Sequence, residues 1–288
     1  MNTLRLDEAG IERGGRWLLR GATLALGHGC LTALIGPNGS GKTTTLRLLS
    51  GVWPPSEGQA TLDGRDLRGM RRRELARRIA LAPQESPLDF DFTVREAVMM
   101  GRHPHLGPFE RERACDFRAV EEAMRRTDIT QLAARPVTEL SGGERQRVVI
   151  ARSLATEAET ILVDEPTAHL DIAHGLAVLH LCRALADEGR AVVLAIHDLN
   201  AATRYADELV VLCAGRIVAR GAPAEVLTDA TLHTVFGVRA EHLVGAPGRT
   251  AFLFHLPSDG AEPLAEEREA WSTADRGPRT PLRTPGRG

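Results

Sequence analysis

The sequence predicts an α/β protein, a largely parallel sheet with helices packed on its faces. Three observations lead there. Short apolar runs bounded by glycine or proline recur at 31–35, 79–82, 161–163, 191–196 and 209–213, and unbroken runs of this length read as strands buried on both faces. Helix-length segments separate several of them, the alternation that builds parallel sheets. A glycine-rich stretch leaves the first of these runs and enters a helical pattern.

The alternation is broken once, between 93 and 139, where strand character is slight. Thr93 and Glu96 stand in capping-box spacing at its start, and Phe117, Val120 and Met124 share one helical face, so a helical insertion between two halves of the sheet is expected. From 257 onward the composition turns to Pro, Gly, Arg, Glu and Thr. Too few large apolar side chains remain there to offset the entropy of ordering, so residues 257–288 read as a disordered tail. No repeat of fixed period is present, which argues against a solenoid or propeller.

Composition narrows the function. With 43% apolar residues and 36 basic against 38 acidic side chains, the chain is neither intrinsically disordered nor strongly cationic, and nucleic acid is not expected as a partner. The longest apolar runs, 191–196 and 209–214, fall far short of the roughly 20 residues a membrane-spanning helix needs. Residues 1–7 lack the pattern of a secretory signal, so a cytosolic chain is expected. Cys30, Cys115, Cys182 and Cys213 are scattered without a Cys-x-x-Cys pair, the usage of buried thiols in a reduced compartment. Lys42 is the only lysine, a residue that arginine cannot replace where a compact ammonium is needed.

Three stretches carry chemistry. Gly36-Pro37-Asn38-Gly39-Ser40-Gly41-Lys42-Thr43 fits G-x-x-x-x-G-K-[ST] between a strand and a helix. In that context glycines let backbone N–H groups curl around phosphate oxygens, Lys42 reaches the terminal phosphates and Thr43 ligates magnesium. Thr44 is taken with them as a nucleotide contact, and the expected ligand is a nucleoside triphosphate with Mg2+, which the family resemblance given below narrows to ATP. A plain glycine-rich turn would not need this combination of fixed positions and flanks. Next, residues 161–163 deliver Asp164 and Glu165 at the C-terminal end of a strand, where parallel sheets place their ligands. Asp164 can hold magnesium directly or through water, and Glu165 can deprotonate the water that attacks the γ-phosphate. Third, Leu140-Ser141-Gly142-Gly143-Glu144-Arg145-Gln146 precedes a helix whose Val148, Ala151 and Ala155 form one face. Ser141, Gly142 and Gly143 therefore make a second N-terminal anion site. Two phosphate grips and one lysine-bearing loop are satisfied together by a symmetric head-to-tail dimer.

These residues resemble the nucleotide-binding subunit of an ABC transporter, whose signature is Leu-Ser-Gly-Gly-x-x-Gln, and the likeness runs from about 4 to 256. It implies an ABC-type P-loop NTPase core in 1–256, an antiparallel β subdomain and a helical subdomain inserted at about 92–155. It also implies that Gln84 contacts magnesium and water, that His197 is the switch histidine touching the γ-phosphate, and that Asp171 reaches the opposite subunit. The family stacks an aromatic ring on adenine where this chain has Glu12-Arg13-Gly14-Gly15, so Arg13 or Trp17 takes that place. His103, His105, His169, His174 and His180 lack ligand spacing and read as surface or packing residues.

Further segments point to import. Phe92-Thr93-Val94-Arg95-Glu96-Ala97-Val98, Gly101-Arg102-His103-Pro104, Leu170-Asp171-Ile172-Ala173-His174 and Thr234-Val235-Phe236-Gly237-Val238 resemble subunits that energise uptake of ferric siderophores, haem or cobalamin. The resemblance implies a peripheral position on the cytoplasmic face of the membrane, separate permease subunits and an extracytoplasmic binding protein. An exporter ATPase and a soluble ABC ATPase acting on ribosomes or DNA are the alternatives. A single cassette with no long coiled-coil insertion argues against the second.

Overall fold

The computed structural model describes residues 3–84, 91–244 and 250–256. An antiparallel hairpin, β1 (Leu4–Arg13) and β2 (Arg16–Leu26), leads into β3 (Leu31–Ile35) and α1 (Lys42–Leu49). β4 (Glu57–Leu62), β5 (Arg65–Asp66), α2 (Arg72–Arg78) and β6 (Ile79–Ala82) follow. Three helices come next: α3 (Val94–Met99), α4 (Ala114–Arg126) and α5 (Gly142–Leu154). Strand and helix then alternate through β7 (Thr160–Asp164), α6 (Ile172–Asp187), β8 (Ala191–Ala195), α7 (Leu199–Tyr205), β9 (Glu208–Cys213) and β10 (Arg216–Gly221). Two short helices, α8 (Pro223–Val226) and α9 (Asp229–Thr231), precede a hairpin of β11 (Arg239–Val244) and β12 (Thr250–His255).

The central sheet has the order β10-β9-β3-β8-β7-β6. Every pairing from β9 to β6 is parallel, and β10 adds an antiparallel edge. β2, β1, β4 and β5 form a second, antiparallel sheet. Each expected strand is present, and the unbroken apolar runs have the reason anticipated for them, since β3, β7 and β8 are buried at every position.

Alternation along the buried strands divides the interior in two, because successive side chains point to opposite faces. Leu31, Ala33, Ile35, Ile161, Val163, Val192 and Leu194 pack in the core that includes α3, α4 and α5. Leu34, Leu162, Val193 and Ala195 pack in the other, with α1 and the antiparallel sheet. The helical insertion thus has no separate interior. Val94, Val98, Val120, Met124 and Val148 are continuous with one face of the central sheet.

The Thr93/Glu96 capping box forms at the start of α3. The apolar face of α4 is narrower than expected: Val120 and Met124 are buried, but Phe117 is 43% exposed, lying at the edge of that stripe. The thiols also need one correction. All four are free and Cys182 is buried, its pKa pushed up to about 12 by burial, whereas Cys115 is exposed. Residues 257–288, expected to be a disordered tail, lie outside the described residues.

The segment Gly101-Arg102-His103-Pro104 has a structural reason. Arg102 is 4% exposed and donates from Nε to Asp116 on α4 at 2.9 Å and from Nη1 to the Ala155 carbonyl at 2.7 Å. A Cβ at Gly101 would stand 2.2 Å from the Arg152 carbonyl oxygen, so glycine lets this turn lie against the end of α5. Burial would raise the Asp116 pKa, but hydrogen bonds from the Arg113 backbone and Arg102 hold it below the usual carboxylate range. Arg102→Ala leaves the Asp116 charge buried without its partner. It is expected to destabilise the protein by about 3–5 kcal/mol in chemical denaturation.

Candidate active site

β3 ends at Ile35, and the chain wraps through residues 36–41 into α1. Gly36 has φ +150, and a Cβ there would stand 2.1 Å from the Leu212 carbonyl oxygen on β9. Gly41, with φ +109, caps α1 where a Cβ would stand 3.2 Å from the Leu18 carbonyl oxygen. Any larger residue at either position opens the loop. Asn38 and Gly39 are exposed, Pro37 is half-buried, and Ser40 is buried with Oγ unpartnered among the described residues. Thr43 and Thr44 are half-buried in the first turn of α1, where unpaired N–H groups face any anion in the loop.

Lys42 is 7% exposed, and its Nζ donates to the carbonyls of Gly36 at 2.8 Å and Pro37 at 3.1 Å. Burial lowers its pKa, and the carboxylates of Glu165 and Asp164 oppose that shift. An ammonium held this way is poorly solvated and, among the described residues, hydrogen-bonded only to neutral oxygens, so a phosphate is a better partner than the ones it has.

Asp164 closes β7 at 4% exposure with Oδ1 unpartnered among the described residues. Burial raises its pKa against a hydrogen bond from the Thr43 side chain. Beside it lies a cavity of about 110 Å³ lined by Thr43, Arg47, Gln84 and Asp164. An orphaned carboxylate oxygen, a hydroxyl and an amide oxygen form the hard, all-oxygen donor set that magnesium takes with water and phosphate. No cluster of three or more His, Cys, Asp or Glu able to hold a metal occurs among the described residues. Magnesium here would therefore draw its other ligands from phosphate and water.

Glu165 follows at φ +48, a left-handed conformation that is uncommon for a side-chain-bearing residue. Its N–H donates to the Ala195 carbonyl at 2.9 Å, which fastens it to the strand leading to His197. Gln84 Nε2 donates to one carboxylate oxygen at 2.5 Å, and His197 Nδ1 lies 3.4 Å from the other. The three residues expected to act in catalysis thus meet at one carboxylate. An acceptor bracketed by an amide and an imidazole, next to a buried ammonium, can orient a water molecule and take its proton.

The second anion site stands apart. Ser141 caps α5, with its N–H and Oγ donating to Glu144 Oε2 at 2.9 Å and 2.8 Å. Those hydrogen bonds hold the Glu144 pKa below its ordinary value, and a carboxylate of the chain itself occupies the donors. Gly142 and Gly143 lie against His169 and Leu170, where a Cβ at Gly143 would stand 3.2 Å from the His169 carbonyl oxygen. Asp171 caps α6 by accepting from the His174 N–H at 2.8 Å, and bonds to the His174 backbone and ring lower its pKa. Among the described residues, none of 141–143 hydrogen-bonds to the loop at 36–44.

A family model described as ABC transporter matches residues 19–168. The chain belongs to the ABC transporter family. This ABC family member is 46% identical over 238 residues to the cobalamin import ATP-binding protein BtuD of Halobacterium salinarum, an alignment covering 82% of this chain and 59% of that one. It therefore spans about three fifths of that relative. It is 41% identical to the hemin import ATP-binding protein HmuV of Rhizobium meliloti, over 82% of this chain and 92% of the relative. It is also 41% identical to the ferric enterobactin transport ATP-binding protein FepC of Escherichia coli, over 86% and 95%. Among solved structures, a chain described as a metal-chelate type ABC transporter in an inward-facing conformation superposes with a TM-score of 0.74 at 29% identity, over 88% of this chain and 96% of that one. The dimeric bacterial ABC transporter cassette MJ0796 superposes with a TM-score of 0.67 at 25% identity, over 76% and 98%.

The two residues expected to stack on a base, Arg13 and Trp17, differ in their surroundings. Arg13 lies 4.1 Å over the ring of Trp53, whose ring Arg47 also meets at 4.4 Å. Trp17 sits one residue before Leu18, whose carbonyl passes Gly41, and Arg20 lies 4.9 Å over its ring. The Arg13–Trp53–Arg47 stack has no periodic signature in sequence, because residues 13, 47 and 53 meet only in the fold. Glu144 was legible: Ser141-x-x-Glu144 repeats the capping-box spacing of Thr93 and Glu96. Two of the remaining histidines make packing contacts. His105 contacts the Thr156 carbonyl at 2.9 Å, and His180 meets Tyr205 edge-on at 5.2 Å.

Proposed function

We propose that this ATPase energises import of a metal held in an organic chelate, a ferric siderophore first, as a head-to-tail pair of copies docked on separate permease subunits at the cytoplasmic face of the membrane. The observation that carries the chemistry is the Glu165 carboxylate bracketed by Gln84 and His197. The relatives named for cobalamin, hemin and ferric enterobactin support the cargo class, since each name denotes a metal in an organic chelate. An extracytoplasmic binding protein would deliver that cargo. No described helix is long and apolar enough to cross a membrane.

In this reading residues 36–44 and Lys42 grip the triphosphate, while Ser141, Gly142 and Gly143 of a second copy close on the γ-phosphate. Asp171 reaches across the same seam. Magnesium held by Thr43, Gln84 and Asp164 would supply positive charge beside the phosphates. Glu165 takes the proton of the attacking water and His197 holds that carboxylate in place. ATP draws the copies together because it binds the closed pair better than the open one, and hydrolysis removes that preference.

Vesicles containing this subunit and its native permease test the role. ATP-dependent uptake of a ferric siderophore is expected; uptake of haem or cobalamin in its place reassigns the cargo, and failure with all three rejects the importer reading. Asp164→Asn removes a buried charge and is expected to raise the melting temperature of the magnesium-free protein while abolishing stabilisation by Mg-ATP. The folded protein keeps the Asp164 proton to higher pH than the unfolded chain does. Wild-type stability from this group is therefore present at low pH and lost as pH rises through the folded-state pKa, a loss the Asn variant lacks. For the base platform, Trp17→Ala is expected to weaken ATP binding more than Arg13→Ala, because Arg13 is engaged with Trp53. Equal affinities in a fluorescent-nucleotide titration would reject Trp17.

A further inference from the structure

Where α4 faces the central sheet, a cavity of about 350 Å³ opens between them. Cys115, Arg118, Glu122 and Arg126 line it from α4, Glu157 from the turn after α5, and Arg190 from the residue before β8. Its acids are already engaged: Glu122 accepts from Arg125 at 2.7 Å and Glu157 from Arg102 at 2.7 Å. Arg126 is engaged too, donating to both carboxylate oxygens of Glu188 at 3.0 Å and 2.6 Å. The side chains of Arg118 and Arg190 make no hydrogen bond or ion pair among the described residues. Arg190 is half-buried, and burial followed by the neighbouring Arg126 charge lowers its pKa against the pull of Glu188 and Glu157.

Three arginines, Arg118, Arg126 and Arg190, line the pocket against two glutamates, Glu122 and Glu157, so its lining carries an excess of positive charge. We propose that this cavity binds a small polyvalent anion, a polycarboxylate or an oligophosphate, gripped by Arg118 from the helical insertion and Arg190 from the sheet. Guanidinium forks match carboxylate and phosphate oxygens two at a time. The volume lies within the roughly 300–1,000 Å³ range of small-molecule sites. Such an anion would tie α4 to the start of β8 at a place remote in sequence from the phosphate loop.

Calorimetric titration of the full chain, free of nucleotide and magnesium at low ionic strength, tests this. Citrate is titrated into the wild-type protein, and tripolyphosphate into Lys42→Ala so that the phosphate loop does not compete. One-to-one binding of either probe is expected, weakened about ten-fold or more by Arg118→Gln and by Arg190→Gln, with citrate affinity unchanged in Lys42→Ala. Citrate alone binding assigns a polycarboxylate, and tripolyphosphate alone an oligophosphate. Absence of binding by both probes, affinities indifferent to both arginine variants, or loss of citrate binding in Lys42→Ala would overturn the proposal. Retained ATP binding by the arginine variants verifies their fold and keeps this outcome separate from the ATPase reading.

Discussion

Glu165→Gln binds ATP with near-normal affinity and turns it over about 10²–10⁴-fold more slowly: this is the result expected from a carboxylate that accepts from Gln84 and stands against His197. Gln is isosteric and cannot take a proton from water, so the grip on the triphosphate survives while the step that consumes it stops. The two copies are then expected to accumulate as an ATP-bound closed dimer, visible as a doubled mass in light scattering with ATP and not with ADP. Wild-type turnover in this variant would remove Glu165 from the role of base. The backbone strengthens the expectation. The bond from the Glu165 N–H to Ala195 sets the carboxylate's origin independently of the side chain, and the substitution leaves it in place.

Lys42→Ala acts on the earlier step. The wild-type ammonium is nearly buried against the Gly36 and Pro37 carbonyls, and a triphosphate offers it charged oxygens in exchange. Charge-assisted hydrogen bonds of this kind contribute about 1.5–3 kcal/mol, so ATP affinity is expected to fall by one to two powers of ten or more. The loss also removes the cation facing Asp164 and Glu165. Dimer closure with ATP should disappear as well. Wild-type affinity in a direct binding titration would show that the loop amides alone hold the nucleotide.

The strands were legible because burial on both faces leaves a mark that needs no partner to be read: β3 and β6 begin and end where the apolar runs do, and β7, β8 and β9 within a residue or two. The glycine-rich turn between β3 and α1 was legible for a related reason, since its glycines answer to local geometry. The roles of Gln84 and His197 rested on resemblance, because a loop amide and a strand-end histidine carry no pattern of their own. The structure adds what such residues lack in sequence, a shared partner in Glu165. Arg102 was noticed only as part of a segment shared with uptake subunits, and its real occupation, a buried pair with Asp116 and a bond to the end of α5, spans separations that periodicity does not reach. The exposure of Phe117 follows from the same limit. Helical spacing locates a face, and the neighbouring elements decide how wide that face is.

Lys42 is the chain's single lysine, and it lies at the floor of the phosphate loop with a pKa lowered by burial. Amine-directed covalent reagents therefore have one side-chain target in the whole polypeptide, inside the very pocket whose occupancy matters. The labelling rate at that one nitrogen becomes a built-in gauge of whether the pocket is filled, with no engineered tag and no background from other lysines.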